Sequence, residues 1–200
     1  HAFWVIIKKG ALISSKSPRT KGGRMILEII RYPDPFLKTH ASRVEAVDES
    51  VRTLIDNMVE TMYYARGIGL ASVQIGDPRR VVVLDVPDED EKDRTKGKNL
   101  IALVNPEIVL VEGETTYEEG CLSLPGITAD VDRAAKVKVQ ALDRDGNPFE
   151  IEAEGLLAIA LQHEIDHLNG IIFIDRLSRL KRELVKRKYK KSLETEERAI

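Results

Sequence analysis

The chain has 200 residues, of which 42% are hydrophobic and 32% charged, and its formal net charge is -2. This length can bury one sizeable core and does not require two domains, so the composition indicates a single globular domain. The lone cysteine excludes an internal disulfide and with it the class of small disulfide-stabilised proteins. The apolar stretches are too short to span a bilayer, which excludes proteins that cross the membrane with helices.

Residues 1–24 are basic and contain no acidic side chain. The chain begins with His1, and its first methionine is Met25. We therefore predict that residues 1–24 are an extension that is not native to the domain. A remnant of a transit peptide is the alternative, because such peptides are also basic, contain serine and lack acids.

The first predicted helix starts at Asp48, a residue suited to N-capping, and ends before Gly67. Apolar side chains recur along it at helical spacing, at Val51, Leu54, Ile55, Met58, Val59 and Met62. The segment from Gly67 to Gly76 can be interpreted as a helix cap followed by a turn. Capping explains one glycine and leaves Gly69 and Gln74 without a role. The segment also lacks the Gly-Lys-Ser/Thr ending of a phosphate-binding loop.

Five strands are predicted from short runs of apolar and β-branched residues. They cover residues 80–86, 100–104, 107–112, 135–142 and 149–153. Clusters of Asp, Asn, Gly and Pro predict turns at 77–78, 87–88 and 145–148, and the charged segment 88–98 is expected to form a surface loop.

Cys121 lies in the block Glu-Glu-Gly-Cys-Leu-Ser-Leu-Pro-Gly, which runs from Glu118 to Gly126. Free cysteines are usually buried small hydrophobes, and this is the first interpretation. A thiol nucleophile paired with a histidine is the second. The third is a metal ligand, which depends on the histidines described next.

His163, Glu164 and His167 form a His-Glu-x-x-His motif, which places both imidazoles on one face of a helix. Glu164 then lies beside a bound metal, the position of a general acid/base. Catalytic sites of this kind usually take three protein ligands, and Cys121 is the natural third. The metal interpretation uses all of these residues, whereas a Cys-His dyad leaves one of them without a role. The helix is apolar on most sides and is predicted to be buried, through Leu156, Leu157, Ile159, Ala160, Leu161, Ile165 and Leu168.

The order of these elements predicts an α+β fold, in which antiparallel or mixed sheets wrap around a central helix that carries the motif. A C-terminal helix follows, and it is crowded with lysine and arginine from Arg176 to Lys191. One interpretation is a solvated amphipathic helix that docks on the body. Its predicted docking side chains are Leu177, Leu180, Leu184 and Val185.

The Gly67 segment, the Cys121 block and the histidine motif, in this order, resemble the three signature motifs of peptide deformylases. The resemblance extends from about Met25 to about Leu180, so it implies a catalytic domain over residues 25–180, followed by a basic helix and tail over 181–200. It implies a metal-dependent hydrolase of protein biosynthesis and N-terminal methionine processing. Such an enzyme removes the N-formyl group from the initiator methionine of nascent polypeptides and releases formate.

The resemblance also implies roles for individual residues. The metal ligands are Cys121, His163 and His167, and Glu164 is the general acid/base. The Gln74 side chain and the backbone N–H of Leu122 donate to the formyl oxygen. Extended peptide pairs with the backbone around Ile68 and Gly69. The methionine pocket is lined by Ile68, Gly120, Leu156 and Ile159. Glu119 and Arg133 match a charge pair that braces the cysteine segment, and we expect this pair at the surface, where its contribution to stability would be small.

The expected cofactor is one divalent ion, Fe(II) in the cell and zinc, nickel or cobalt in a purified sample. N-formyl-methionyl peptides are the expected partners, with the ribosome as a further partner through the basic C-terminal helix. We expect a monomer without membrane contact. The expected location is the cytoplasm, or an organelle if residues 1–24 are a transit-peptide remnant.

Two other function classes fit parts of the sequence. A zinc endopeptidase would share the helix motif, but it would usually take a third His or Glu as ligand. A non-catalytic protein with a structural metal would need four protein ligands, and the cysteine and histidines offer no clear fourth.

Overall fold

The computed structural model describes residues 19–21, 23–88 and 95–198. The strands are β1 (Arg19–Lys21), β2 (Arg24–Ile26), β3 (Gly69–Ala71), β4 (Val81–Asp85), β5 (Leu100–Glu112), β6 (Thr115–Cys121), β7 (Leu124–Arg133), β8 (Lys136–Leu142) and β9 (Pro148–Glu154). The helices are α1 (Glu49–Tyr64), α2 (Gly155–Leu168) and α3 (Arg179–Arg198). Short 3-10 helices cover Pro35–Lys38, Ser72–Ile75 and Phe173–Arg176.

The main sheet has the strand order β3-β4-β5-β8-β9, and two further sheets consist of the pairs β6-β7 and β1-β2. All pairings between these strands are antiparallel. Helix α2 packs on one face of the main sheet, and α1 packs on the other. The predicted α+β fold around a central motif helix, followed by a C-terminal helix, is therefore confirmed.

Helix α1 begins as predicted, because the Asp48 side chain accepts a hydrogen bond from Val51 N at 3.0 Å. Its end differs from the prediction that Gly67 caps it. Arg66 takes the left-handed conformation with φ of 59°. Gly67 N then donates to Met62 O at 2.9 Å, and Arg66 N donates to Tyr63 O at 3.1 Å. Gly67 serves packing instead, because a Cβ atom there would lie 2.7 Å from Leu122 Cδ1.

The predicted strands are present, with one difference in their number. Segments 100–104 and 107–112 form the single strand β5, with a register shift between Val104 and Glu107, where Asn105 has a φ of 55°. Strands β3, β6 and β7 were not predicted, and they hold or flank the Cys121 block and Gly69. Within the predicted surface loop 88–98, residues 89–94 lie outside the described residues.

The prediction of how helix α3 docks is confirmed for Leu177 and Val185, which pack on the body, but not for Leu180 and Leu184. Leu180 and Leu184 are 72% and 56% exposed, so the prediction that they dock is wrong. The docking side chains are Val185, Tyr189 and Leu193, four residues apart, together with Leu177 just before the helix.

The start of α3 is also held by hydrogen bonds to the preceding turn. The Arg182 guanidinium donates to Ile174 O at 3.2 Å, Asp175 O at 2.7 Å and Leu177 O at 3.2 Å. Helix α3 already begins at Arg179 and is packed as far as Leu193. Residue 180, the predicted end of the catalytic domain, therefore lies inside this helix, and residues of the helix after it also pack on the body.

The N-terminal residues 1–24, predicted to be an extension, are described only in part. Strand β2 is tied to α1, because Met25 N donates to Asn57 Oδ1 at 2.8 Å and Arg24 pairs with Glu60 at 3.2 Å. Residues 1–18 and 22 of the predicted extension lie outside the described residues, and the origin of the extension stays a prediction. Among the described residues, no helix is long and apolar enough to cross a membrane.

Candidate metal centre

Three potential ligand atoms meet where the end of β6 approaches α2. Cys121 Sγ lies 3.2 Å from His167 Nε2, which lies 3.2 Å from His163 Nε2. All three side chains are buried, and their ligand atoms lie within 4.8 Å of one another. A thiol and two imidazoles at this spacing fit a zinc-like or iron-like ion. The structure thus brings together the three residues for which the sequence predicted metal binding.

The electrostatic environment also favours a cation between these ligands. Burial lowers the pKa of His167 well below its usual value, which keeps this imidazole neutral, the form that binds metals. Burial has the same tendency at His163, but hydrogen bonds with Cys121 and Glu119 outweigh it and raise the pKa of His163 well above the ordinary value. Positive charge is therefore stabilised at this place, and a metal ion would supply it in place of a proton.

His163 is oriented by a buried carboxylate. Its Nδ1 lies 2.8 Å from Glu119 Oε2, which directs Nε2 toward Cys121 and His167. This is the usual support for a metal-binding histidine. No described residue hydrogen-bonds Nδ1 of His167, so the two imidazoles are supported differently.

Glu119 and Arg133 form a buried pair, so the expectation of a surface pair is wrong. Arg133 Nε and Nη2 donate to the two Glu119 oxygens at 2.6 and 2.9 Å, and its Nη1 donates to Asp166 Oδ2 at 2.6 Å. Burial alone would raise the pKa of Glu119, but the hydrogen bonds from Arg133 and His163 lower it to about 2. Removing one partner of such a pair commonly costs about 3–5 kcal/mol, because it leaves a buried charge unpaired.

Glu164 is buried beside the three candidate ligands and is not one of them. Burial raises the pKa of Glu164 to about 7. A carboxyl group with this pKa can both accept and return a proton near neutrality. Its side chain occupies space that Gly69 leaves open, because a Cβ atom at Gly69 would lie 2.9 Å from Glu164 Cδ. This contact explains the glycine that helix capping did not.

The amide nitrogen of the Gln74 side chain points toward Cys121, one of the three candidate ligands. Gln74 Oε1 accepts from Ala71 N at 2.9 Å, which fixes the orientation of the amide. Its Nε2 lies 3.5 Å from Cys121 Sγ and 3.2 Å from Ser123 Oγ. Ser123 received no role from the sequence, yet it is fully buried and holds the Gln74 amide. Its place two residues after the predicted ligand Cys121 was the available signal.

Leu122 lies in the tight connection between β6 and β7, directly after Cys121. Its side chain is half-buried and packs beside Gly67. Its backbone N–H belongs to the residue that follows the candidate ligand Cys121, and its role as a donor to the formyl oxygen stays a prediction.

Strand β3 is an edge strand of the main sheet, and its hydrogen-bond pattern decides which groups face outward. Ile68 O accepts from Asp85 N at 2.8 Å, so the polar backbone groups of Ile68 face β4. Backbone groups of successive residues in an antiparallel strand point to opposite sides. The N–H and C=O of Gly69 are therefore directed to the outer edge, beside Glu164, where an extended peptide could pair with them.

The four residues predicted for the methionine pocket lie on or next to β3, β6 and α2. Ile68 is half-buried before β3, and Gly120 is buried next to Cys121. Leu156 and Ile159 precede His163 on α2 by seven and four residues, so all three share one helix face. Leu156 also lines a surface cleft between the end of β4, the start of β5 and α2.

Comparisons with known proteins show which family the sequence and the fold resemble. The sequence model of the family described as "Polypeptide deformylase" matches residues 26–183. The chain is 53% identical over 166 residues to a peptide deformylase of Chromobacterium violaceum, a match that covers 83% of this chain and 95% of that protein. It is 52% identical over 167 residues to one of Pseudomonas aeruginosa, with 83% and 95% covered. A crystal structure of a peptide deformylase from Legionella pneumophila superimposes with a TM-score of 0.79 at 51% identity, covering 86% of this chain and 98% of that one.

Proposed function

The chain belongs to the polypeptide deformylase family, and we propose that Cys121, His163 and His167 hold the metal ion on which the chemistry of this family depends. The enzyme is a hydrolase that removes the N-formyl group from nascent polypeptides. The observation that carries the residue assignment is the convergence of the three ligand atoms within 4.8 Å, with Glu164 buried beside them. The family match does not favour the endopeptidase or structural-metal alternatives.

Each side chain has a distinct part in the proposed mechanism. When bound, the metal supplies Lewis-acid activation of water and of the formyl carbonyl. Glu164 accepts a proton from the attacking water and later gives it to the amine nitrogen that leaves. The Gln74 amide Nε2 and the backbone N–H of Leu122 donate to the formyl oxygen as negative charge develops there. The products are formate and a peptide with a free N-terminal amine.

Substrate recognition is assigned to the edge of β3 and to α2. The outward N–H and C=O of Gly69 pair with the extended backbone of the peptide. Ile68, Gly120, Leu156 and Ile159 take the methionine side chain, because an apolar pocket favours a long thioether by burial of its surface.

We further propose Fe(II) as the ion in the cell, with zinc, nickel or cobalt as replacements in a purified sample. A thiolate and two imidazoles accept all four ions, so the ligand set supports this range. We propose that the enzyme acts as a monomer in the cytoplasm. All three candidate ligands and Glu164 come from one chain, and nascent formylated chains are the substrate.

The activity is tested by following formate release from a formyl-Met tripeptide, with the matched acetyl-Met tripeptide and casein as comparison substrates. We expect turnover of the formylated peptide, little of the acetylated one, no casein cleavage, and loss of turnover with a metal chelator. Casein cleavage without formate release would instead support a metal endopeptidase.

We also propose that α3 binds the ribosome through its exposed basic face. Truncation is a poor test, because Tyr189 is buried in the cluster that also contains Cys121. Substitution of three exposed cations by Glu avoids this problem, at Arg187, Lys188 and Lys191. We expect formate release from short peptides to stay within about twofold, and co-sedimentation with ribosomes at low salt to fall by at least about tenfold, since such binding depends on phosphate contacts.

The control changes three exposed cations elsewhere to Glu, at Arg24, Arg43 and Lys136. It alters the net charge by the same amount. Each of these cations pairs with a glutamate, so the control is valid only if its melting temperature stays close to that of the wild type. Equal loss of ribosome binding in both variants, or no loss in either, would contradict a specific role for α3.

A further inference from the structure

Asp85 is a buried carboxylate at the end of β4, and it is only 1% exposed. It accepts hydrogen bonds from the Tyr63 hydroxyl at 2.6 Å, from Gly97 N at 2.9 Å and from Asn99 N at 3.2 Å. Burying a carboxylate is costly unless several donors surround it. These donors come from the last turn of α1 and from the segment that leads into β5, so a single side chain connects three parts of the fold.

The segment before β5 is also held to the residues after β4 and to the ring of Tyr63. Asn99 Nδ2 donates to Val86 O at 2.9 Å and to Asp88 Oδ1 at 3.0 Å. Lys96 Nζ lies 5.2 Å from the centre of the Tyr63 ring, a cation–π geometry. Tyr63 and Asp85 are therefore two of the residues that attach this segment to α1 and to the end of β4.

The connection to the candidate site runs through the backbone. Asp85 N donates to Ile68 O at 2.8 Å, at the entrance to β3. The next residue, Gly69, directs its polar groups to the outer edge and approaches Glu164. Displacement of Asp85 would thus move the backbone that is assigned to peptide pairing. The metal ligands would be less affected, because they lie on β6 and α2.

We propose that Tyr63 and Asp85 are positioning residues for peptide binding. Their hydrogen bond keeps the backbone of Ile68 and Gly69 in the position in which it can pair with the substrate backbone. This inference rests on the proposed function, in which the peptide adds to the edge of β3. Tyr63 and Asp85 lie on α1 and β4, whereas the candidate ligands lie on β6 and α2, so we expect their effect on binding of the peptide and not on proton transfer.

Tyr63→Phe removes only the hydroxyl that reaches Asp85, and Tyr64→Phe is the matched control, because Tyr64 is the next residue and is 49% exposed. For a formyl-Met tripeptide we expect Tyr63→Phe to raise KM by about five- to tenfold, while kcat and bound metal stay within about twofold of the wild type. The control should match the wild type in KM and kcat. Asp85→Asn replaces one acceptor oxygen by a donor and should raise KM further in the same assay.

An unchanged KM for Tyr63→Phe in an active enzyme would overturn this inference and leave the proposed function intact. A fall in kcat at constant KM would also overturn it, because the pair would then act on the chemical step. A loss of thermal stability without a KM change would assign the pair a purely structural role. A wild-type chain without formate release would overturn the proposed function and this inference with it.

Discussion

Glu164→Gln should lower kcat for formyl-Met peptides by at least about a hundredfold while the protein keeps its full metal content. The amide has nearly the same size as the carboxylate, so it fits the space that Gly69 leaves open. It cannot accept a proton from water or return one to the leaving amine. The measurement is steady-state formate release together with the metal-to-protein ratio of the same sample.

Glu118→Gln is the matched control, because Glu118 is exposed on β6 and bonds Thr128 Oγ1 at 2.9 Å. It makes the same chemical change close to the site without entering it, so kcat should remain within about twofold. Near-normal turnover of Glu164→Gln would disprove the general acid/base assignment. A joint loss of metal and turnover would instead indicate that Glu164 supports the ion.

Cys121→Ser should lose metal and activity together. A hydroxyl is a much poorer ligand than a thiolate for iron, zinc, nickel or cobalt, whereas its size is similar. Removing residues that only support a ligand already costs about 10–100-fold in metal affinity, so loss of a direct ligand should cost at least about a hundredfold. Competition with a chelator measures this affinity, and added metal should restore part of the turnover.

The same variant separates a ligand from a nucleophile. If Cys121 were the nucleophile of a Cys-His dyad, Cys121→Ser would retain its metal and still lose turnover. The parent enzyme would then accumulate a formyl thioester on Cys121, which mass spectrometry would detect as an added formyl group. That pair of results would falsify the ligand assignment.

Charged side chains next to His163 are buried, and their mutual pairing explains how they can be. Glu119, Arg133 and Asp166 alternate in sign, and Arg176 adds a further cation that hydrogen-bonds Asp166. Each charge is paired, which offsets part of the cost of removing it from water. The chain of contacts links His163, a candidate metal ligand on α2, to the turn before α3. The C-terminal helix is therefore packed onto elements that support the site.

Local patterns were sufficient to predict part of this protein. The four-residue spacing of His163 and His167 depends only on the geometry of one helix, so their common direction followed from the sequence. Asp48 as the cap of α1, and the burial of α2 on most sides, are local in the same sense. The family resemblance, and with it the activity, rested on three such short motifs.

Other features depended on residues that are far apart along the chain. Glu119 and Arg133 have charged side chains, which usually lie at the surface of a protein. They are buried here because β6 pairs with β7 and α2 packs against them. The polar run Thr115–Glu118 did not predict strand β6, because its partner strand and not its own alternation decides its conformation.

The face of α3 that docks also depended on the tertiary structure. Leu180, Leu184, Val185 and Tyr189 all occur in one basic helix, and hydrophobicity alone does not choose among them. The position of β7 selects Val185 and Tyr189, whereas Leu180 and Leu184 remain exposed. The role of Asp85 is decided in the same way, since its donors come from residues 63, 97 and 99. A sequence pattern reports the periodicity of one element, but which of its faces is covered depends on what the rest of the chain places against it.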